Sequence, residues 1–100
     1  LFETIVSRKE ESPDKSYTAR LFSKGDEKIL KKIGEEAAEL LIAGAKDQRR
    51  EMIYETADVL YHILVLLVHK NISLSEIFLE LESRMSLSGL EEKASRKEKP

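Results

Sequence analysis

Two segments with helical periodicity, residues 27–45 and 49–70, each carry a pair of acidic residues spaced three apart. The pairs are Glu36 with Glu39 and Glu55 with Asp58, and they are placed symmetrically about position 47. Residues three apart share one face of a helix. If the chain reverses near position 47, the four carboxylates therefore meet at matching heights across an antiparallel helix hairpin. The sequence predicts an all-α fold, a helical bundle built on this hairpin.

The rest of the chain predicts short helices that flank the hairpin. One covers residues 1 to about 11, and a second follows Ser16 and stops at Gly25, a residue typical of helix C-terminal caps. Asp26 is the expected N-cap of the first long helix. A capping-box pattern at residues 73–76 opens a last helix. No segment shows strand-like alternation of useful length.

Length and composition limit what the chain can be. One hundred residues without a linker or repeat predict a single domain, residues 1–100, with a polar tail from about 87. A net charge of −2 gives no electrostatic footprint for nucleic acid or an anionic membrane. The apolar run at 59–68 is shorter than the roughly 20 residues that span a bilayer. Because cysteine is absent, we expect a cytoplasmic protein without disulfides or thiolate metal sites.

The acidic pairs predict a metal site. Asp58 leads directly into the apolar run, so it is expected to be partly buried, and a buried carboxylate needs a partner or a metal. Carboxylate oxygens suit Mg²⁺, with Mn²⁺ as the alternative. A ferritin-like di-iron site would instead want Glu-x-x-His pairs. The competing interpretation is a solvated helix face, since 19 acidic residues produce some such pairs by chance.

Two other residues face the predicted pocket. Lys32 lies one turn before Glu36 and faces His62 across the hairpin, where an ammonium group would suit a metal-bound phosphate. A surface lysine with its stem along the helix fits the same spacing. His62 is typical of a hydrogen-bonded core residue, and a substrate contact is its alternative role.

The second long helix carries apolar residues on both sides of the face that holds Glu55 and Asp58. So wide an apolar surface must be covered from several directions, and the short flanking helices offer little cover. The sequence therefore predicts a homodimer or larger assembly through this helix.

The motifs carry a family resemblance. GEEAAE at 34–39 followed by ETAD at 55–58 resembles the EExxE…ExxD signature of the all-α nucleoside triphosphate pyrophosphohydrolases, the MazG-like superfamily. Four segments in family order resemble its phosphoribosyl-ATP pyrophosphatase branch: residues 16–19, 32–36, 58–62 and 89–96. The resemblance covers nearly the whole chain.

This resemblance implies Mg²⁺-dependent hydrolysis of phosphoribosyl-ATP to phosphoribosyl-AMP and pyrophosphate in histidine biosynthesis. Glu35 would support the metal ligands or, like Glu36, orient the attacking water. The implied metal ligands are Glu36, Glu39, Glu55 and Asp58. The implied substrate contacts are Lys32 and the tail residues Lys93, Arg96 and Lys97 for phosphates, and Ser16, Tyr17 and Thr18 for the pocket wall.

Two other functions stay open at this point. One is a house-cleaning pyrophosphatase of the same fold that acts on dUTP, dCTP or damaged nucleotides. The other is a non-enzymatic helical interaction module, in which the apolar helix is a docking surface and the acids are incidental.

Overall fold

The computed structural model describes residues 1–85, and within that range the chain is helical without strands, which confirms the all-α prediction. The helices are α1 (Phe2–Arg8), α2 (Tyr17–Lys24), α3 (Asp26–Ala45), α4 (Arg49–His69) and α5 (Leu74–Met85). The predicted tail at 87–100 lies outside the described residues.

The helices α3 and α4 form the predicted antiparallel hairpin. The chain reverses at Asp47, whose φ of 54° lies in the left-handed region that Asp enters more readily than most residues. The amide of Gln48 donates to the carbonyl of Ala43 at 3.0 Å and so satisfies the end of α3. The reversal fixes the register in which the two acidic helix faces meet.

The open end of the hairpin is joined by an ionic cluster. The carboxylate of Asp26, at the start of α3, lies 2.8 Å from His69 Nε2 and 2.7 Å from Lys70 Nζ, at the end of α4. The prediction that Asp26 is an N-cap is wrong. Gly25, with φ of 75°, caps both α2 and α3, so it is the single residue between the two helices and Asp26 is already helical.

The core lies where α1 and α2 pack against this open end. Its fully buried side chains include Ile5, Leu21, Ile29 and Val65. The expectation that α1 continues to about residue 11 is wrong, because α1 ends at Arg8 and the chain then turns. In that turn the ammonium of Lys9 donates to the carbonyl of Val68 at 3.3 Å, which ties the turn to the end of α4. This packing holds α2 beside the hairpin.

The capping box predicted for α5 is present. The amide of Ser73 donates to Glu76 Oε2 at 2.8 Å, and the amide of Glu76 donates to Ser73 Oγ at 3.3 Å. No side chain of α5 is buried, however, and Phe78 is 54% exposed. Within residues 1–85 most of the apolar face of α5 is therefore exposed.

By length and composition α4 could cross a membrane, since it has 21 residues and its most apolar stretch has a mean hydropathy of 1.3. The helix α4 is longer than the apolar run at 59–68 noted in the sequence. One such helix is weak evidence for a membrane protein, because the central helix of a globular fold passes the same test. Here α4 packs along α3 and carries Glu55 and Asp58 on the face it shares with that helix.

Candidate active site

The hairpin brings the predicted acids together. One carboxylate oxygen from each of Glu36, Glu39 and Glu55 lies within 4.8 Å of the other two. Asp58, on the next turn of α4, is outside this group of three but interacts with the carboxylate of Glu36. Burial is graded across the acidic cluster: Glu36 is buried, Glu55 and Asp58 are half-buried, and Glu39 is exposed. The cluster is thus open to solvent on the side of Glu39.

Glu55 is the least satisfied member of the acidic cluster. Its Oε2 atom is fully buried and has no hydrogen-bond partner among the described residues. Burial, followed by the neighbouring carboxylates of Glu36 and Glu39, raises the pKa of Glu55 to about 7. Buried carboxylates in mutual contact cannot all ionise cheaply. The cluster therefore holds either a proton or a cation near neutral pH.

Glu36 is the ionised centre of the cluster. Burial opposes its ionisation, but its contacts with Glu55, Lys32 and Asp58 outweigh burial and lower the pKa of Glu36. Lys32 Nζ lies 3.3 Å from Glu36 Oε1. Burial, and then the charge of Glu36, raises the pKa of Asp58. Within the cluster, the ionised carboxylate of Glu36 therefore lies next to Glu55 and Asp58, whose pKa values are raised.

An oxygen-only donor set of this kind fits a hard divalent cation. Mg²⁺ and Mn²⁺ take carboxylate oxygens, and a +2 charge would remove the repulsion that raises the pKa of Glu55. It would also give the buried Glu55 Oε2 atom the partner that it lacks. The residues present therefore fit the metal that the sequence predicted.

Tyr17 interacts with both Lys32 and His62. Burial raises the pKa of Tyr17, an effect that the charge of Lys32 partly opposes. Burial alone would lower the pKa of Lys32, but Glu36 and then Tyr17 raise it. The Tyr17 hydroxyl lies 3.1 Å from His62 Nε2. Tyr17 is therefore in contact with His62 and within electrostatic reach of Lys32.

The three predicted pocket residues at the start of α2 have different surroundings. Ser16 caps α2, since its hydroxyl oxygen accepts from the amide of Ala19 at 3.0 Å. Thr18 is buried and its hydroxyl contacts that of Tyr61. Tyr17 is 42% exposed. Of the three, Tyr17 presents the most surface to a ligand.

Glu35 is not one of the clustered carboxylates. Glu35 is exposed, and its charge acts on Lys32, three residues before it. It makes no side-chain hydrogen bond within residues 1–85. Lys93, Arg96 and Lys97 lie outside the described residues.

Sequence reasoning missed the role of Tyr61 in this site. Its hydroxyl contacts Thr18, and its ring stacks on Tyr17 with a centroid distance of 6.4 Å. The available signal was its position three residues after Asp58, which places it near the acidic face of α4.

The fold and this cluster define a class, all-helical proteins with a carboxylate site between two antiparallel helices. The family model for phosphoribosyl-ATP pyrophosphohydrolase matches residues 1–85. The chain belongs to the phosphoribosyl-ATP pyrophosphohydrolase family.

Curated relatives agree with this assignment. The phosphoribosyl-ATP pyrophosphatase of Trichlorobacter lovleyi is 55% identical over 98% of this chain and 91% of its own length. That of Geobacter sulfurreducens is 53% identical over the same shares of the two chains. That of Rhodobacter capsulatus is 48% identical over 96% of this chain and 93% of its own. The family predicted from the motifs is confirmed.

Proposed function

We propose that this chain is a hydrolase that converts phosphoribosyl-ATP to phosphoribosyl-AMP and pyrophosphate in histidine biosynthesis. Family membership and the names of the curated relatives support this reaction over the house-cleaning and interaction-module alternatives. The observation that carries the proposal is the convergence of Glu36, Glu39 and Glu55 in a chain of this family. A cluster of carboxylates beside one lysine suits a metal-dependent reaction of a polyphosphate.

The metal belongs to the proposal. Glu36, Glu39, Glu55 and Asp58 would hold Mg²⁺, and Mn²⁺ fits the same donors. When bound, such an ion screens the polyphosphate and stabilises the departing pyrophosphate. The support for it is the unpartnered Glu55 Oε2 atom and the charge repulsion inside the cluster.

The chain's own residues supply the other requirements. The ammonium of Lys32 is paired with Glu36. It can donate a charged hydrogen bond to a phosphate oxygen of the substrate. In the reaction, the oxygen of a water molecule bonds to the α-phosphorus. The bond from that phosphorus to the oxygen that bridges it to the β-phosphorus breaks, and a carboxylate takes the water proton. Glu35 and Glu36 are the candidates for that carboxylate. Glu35 is exposed beside Lys32, whereas Glu36 is buried among the other acids.

A second copy of the chain is the proposed cover for the outward face of α4. On this face Ile53 is 60% exposed and Leu60 is 55% exposed, and the groove between them is also lined by Met52, Thr56 and Ala57. Only 17% of the most apolar part of α4 is buried within the chain. Contiguous apolar surfaces of this kind mark association sites. A homodimer would bury them against each other.

The proposed reaction is tested by pyrophosphate release with purified protein and Mg²⁺. Phosphoribosyl-ATP should be hydrolysed, dUTP and dCTP should not, and chelation of the metal should stop turnover. Hydrolysis of dUTP or dCTP without hydrolysis of phosphoribosyl-ATP would instead support a house-cleaning enzyme. Absence of release from every nucleotide would favour an interaction module.

The basic tail is proposed to bind substrate phosphates through Lys93, Arg96 and Lys97. The substrate carries a triphosphate and a second phosphate on its ribose, more negative charge than Lys32 and one metal ion balance. Removal of the residues after Gly89 should raise KM for phosphoribosyl-ATP and leave the melting temperature nearly unchanged. An unchanged KM would remove the tail from the site.

A further inference from the structure

His62 is a buried side chain with both ring nitrogens occupied. It is 3% exposed, and its Nδ1 atom lies 2.8 Å from the backbone carbonyl oxygen of Asp58. A carbonyl oxygen only accepts hydrogen bonds, so Nδ1 carries the proton. Nε2 is then an acceptor, and the Tyr17 hydroxyl, 3.1 Å away, donates to it. In this arrangement neither nitrogen is available to a metal ion or a substrate.

The Tyr17 hydroxyl is therefore fixed by His62 but can still accept a further hydrogen bond. Its hydroxyl hydrogen is committed to His62, which leaves the phenol oxygen free to accept a hydrogen bond. Its ring packs edge-on against His62 with centroids 6.0 Å apart and also stacks on Tyr61. The side chain is still 42% exposed, and it feels the charges of Lys32, Glu36 and Asp58. It stands at the border between the acidic cluster and solvent.

The contact also joins two helices that carry different parts of the site. His62 follows Asp58 by one turn on α4, whereas Tyr17 opens α2. Besides this bond, Thr18 to Tyr61 is the other side-chain hydrogen bond between α2 and α4 in residues 1–85. A polar group as buried as His62 is normally held by the bonds it makes. Here those bonds set where Tyr17 stands relative to the carboxylates.

We propose that His62 is a positioning residue that fixes the Tyr17 hydroxyl, so that Tyr17 contacts the nucleoside part of the substrate next to its metal-bound phosphates. This inference rests on the proposed function, because it assigns a role within the same reaction. Tyr17 is uncharged and aromatic, which suits a ribose hydroxyl or a base better than a phosphate. Such a contact exists before and during the reaction, so it affects KM more than kcat.

A matched pair of substitutions separates the two bonds of His62. In His62→Asn the amide nitrogen falls near the Nδ1 position, so the bond to the Asp58 carbonyl is retained and the acceptor for Tyr17 is lost. In His62→Gln the amide oxygen reaches the Nε2 position and restores that acceptor. We expect His62→Asn to raise KM for phosphoribosyl-ATP about tenfold, with kcat changed less than about threefold. His62→Gln should recover most of the lost affinity.

Tyr17→Phe supplies the second variant, and it leaves His62 in place. It should raise KM by about as much as His62→Asn, and the double variant should be no worse than Tyr17→Phe alone. Equal effects of His62→Asn and His62→Gln, or additive effects in the double variant, would overturn the positioning role. If His62→Asn does not fold, a normal KM in Tyr17→Phe would overturn it equally.

A nitrogen-15 NMR spectrum of the imidazole tests the contact without substrate or metal. The expected tautomer has its proton on Nδ1, and Tyr17→Phe should shift the Nε2 resonance. A proton on Nε2 would reverse the bond and overturn the proposal. If the wild-type protein releases no pyrophosphate from phosphoribosyl-ATP, the proposed function fails and the positioning role fails with it. Failure of the positioning role alone leaves wild-type turnover intact.

Discussion

The pKa of the single residue Glu55 reflects the burial and the charges of the site. Its buried Oε2 atom has no hydrogen-bond partner in the part of the chain that the structure describes, and its carboxylate faces those of Glu36 and Glu39. Without a cation the protein relieves this repulsion by keeping a proton on Glu55. The cost of burying the cluster therefore depends on pH and on metal.

The first prediction is a stability that falls with rising pH in the metal-free protein. The pKa of Glu55 is about 7 in the fold and 4.5 ordinarily, so the unfolded chain loses its proton first. The free energy of unfolding should therefore fall as pH rises from about 4.5 through about 7. Urea unfolding in the presence of a chelator at about pH 5 and about pH 8 measures it.

Two variants act as controls for this pH effect. Glu55→Gln should flatten the dependence, because the group that keeps the proton is gone. Glu82→Gln, an exposed substitution on α5, should leave the dependence as it is in the wild type. Added Mg²⁺ should stabilise the wild type more at about pH 8 than at about pH 5, since the ion competes with the proton. A wild-type slope that survives Glu55→Gln would contradict the assignment.

The second prediction is loss of turnover in Asp58→Asn. The substitution removes a carboxylate that meets Glu36 and keeps side-chain volume, so the helical fold should persist. We expect the rate to fall at least about 100-fold. Metal-free stability should be equal or higher, because one like charge has left the cluster.

Asp47→Asn is the matched control for that variant. It removes one exposed carboxylate from the loop between the same two helices, and Asn tolerates the positive φ there. It should keep normal activity. Near-normal activity of Asp58→Asn at saturating Mg²⁺ would remove Asp58 from the metal site.

At the scale of elements, the start of α2 determines which side chains form the wall of the site. Ser16 caps the helix, and the next two residues bond to α4 through His62 and Tyr61. The sequence assigned Ser16 to the substrate pocket, and the structure gives its hydroxyl oxygen a capping bond. Helix capping and pocket shape are therefore linked at this point.

The third prediction separates these two roles of Ser16. Ser16→Ala should lower the free energy of unfolding by about 1 kcal/mol and raise KM, because the first turn of α2 loses its cap. Ser16→Asn should keep the wild-type free energy of unfolding and the wild-type KM, since Asn is as good an N-cap as Ser. Urea unfolding and steady-state kinetics on the two variants are the measurements. A stable Ser16→Asn with the high KM of Ser16→Ala would mean that the Ser16 hydroxyl itself contacts substrate.

At the scale of the molecule, one chain leaves much of its apolar surface open. Besides the outward face of α4, most of the apolar face of α5 is exposed, with Leu79 64% exposed. The described residues bury only a small core at the end of the hairpin where α1 and α2 pack. Association would add the apolar burial that so small a core lacks.

The fourth prediction is a dimer or larger assembly in solution through α4. Sedimentation at micromolar concentration should give a mass at least twice the 11.5 kDa of one chain. Leu60→Glu should dissociate it, because a charge would be buried in the interface. Leu79→Glu, at a somewhat more exposed site on α5, should not. A wild-type monomer would contradict the prediction, and dissociation by Leu79→Glu alone would move the interface to α5.

Local patterns determined much of this protein from the sequence by itself. The hairpin, its reversal near Asp47 and the capping box at Ser73 all follow from periodicity and from backbone needs within a few residues. The convergence of Glu36 with Glu55 also followed, because an antiparallel reversal fixes the register of two helices.

Only the tertiary structure decided what depends on contacts between distant residues. Spacing could not show that Glu55 keeps the extra proton, because the pKa reflects burial and the neighbours that the fold supplies. Nor could it show that Asp26 is engaged by His69 and Lys70, which are 43 and 44 residues away in sequence. The same holds for His62, whose two partners come from its own helix and from α2. Helical periodicity places a side chain on a face, whereas packing decides whether water, a proton or another side chain meets it there.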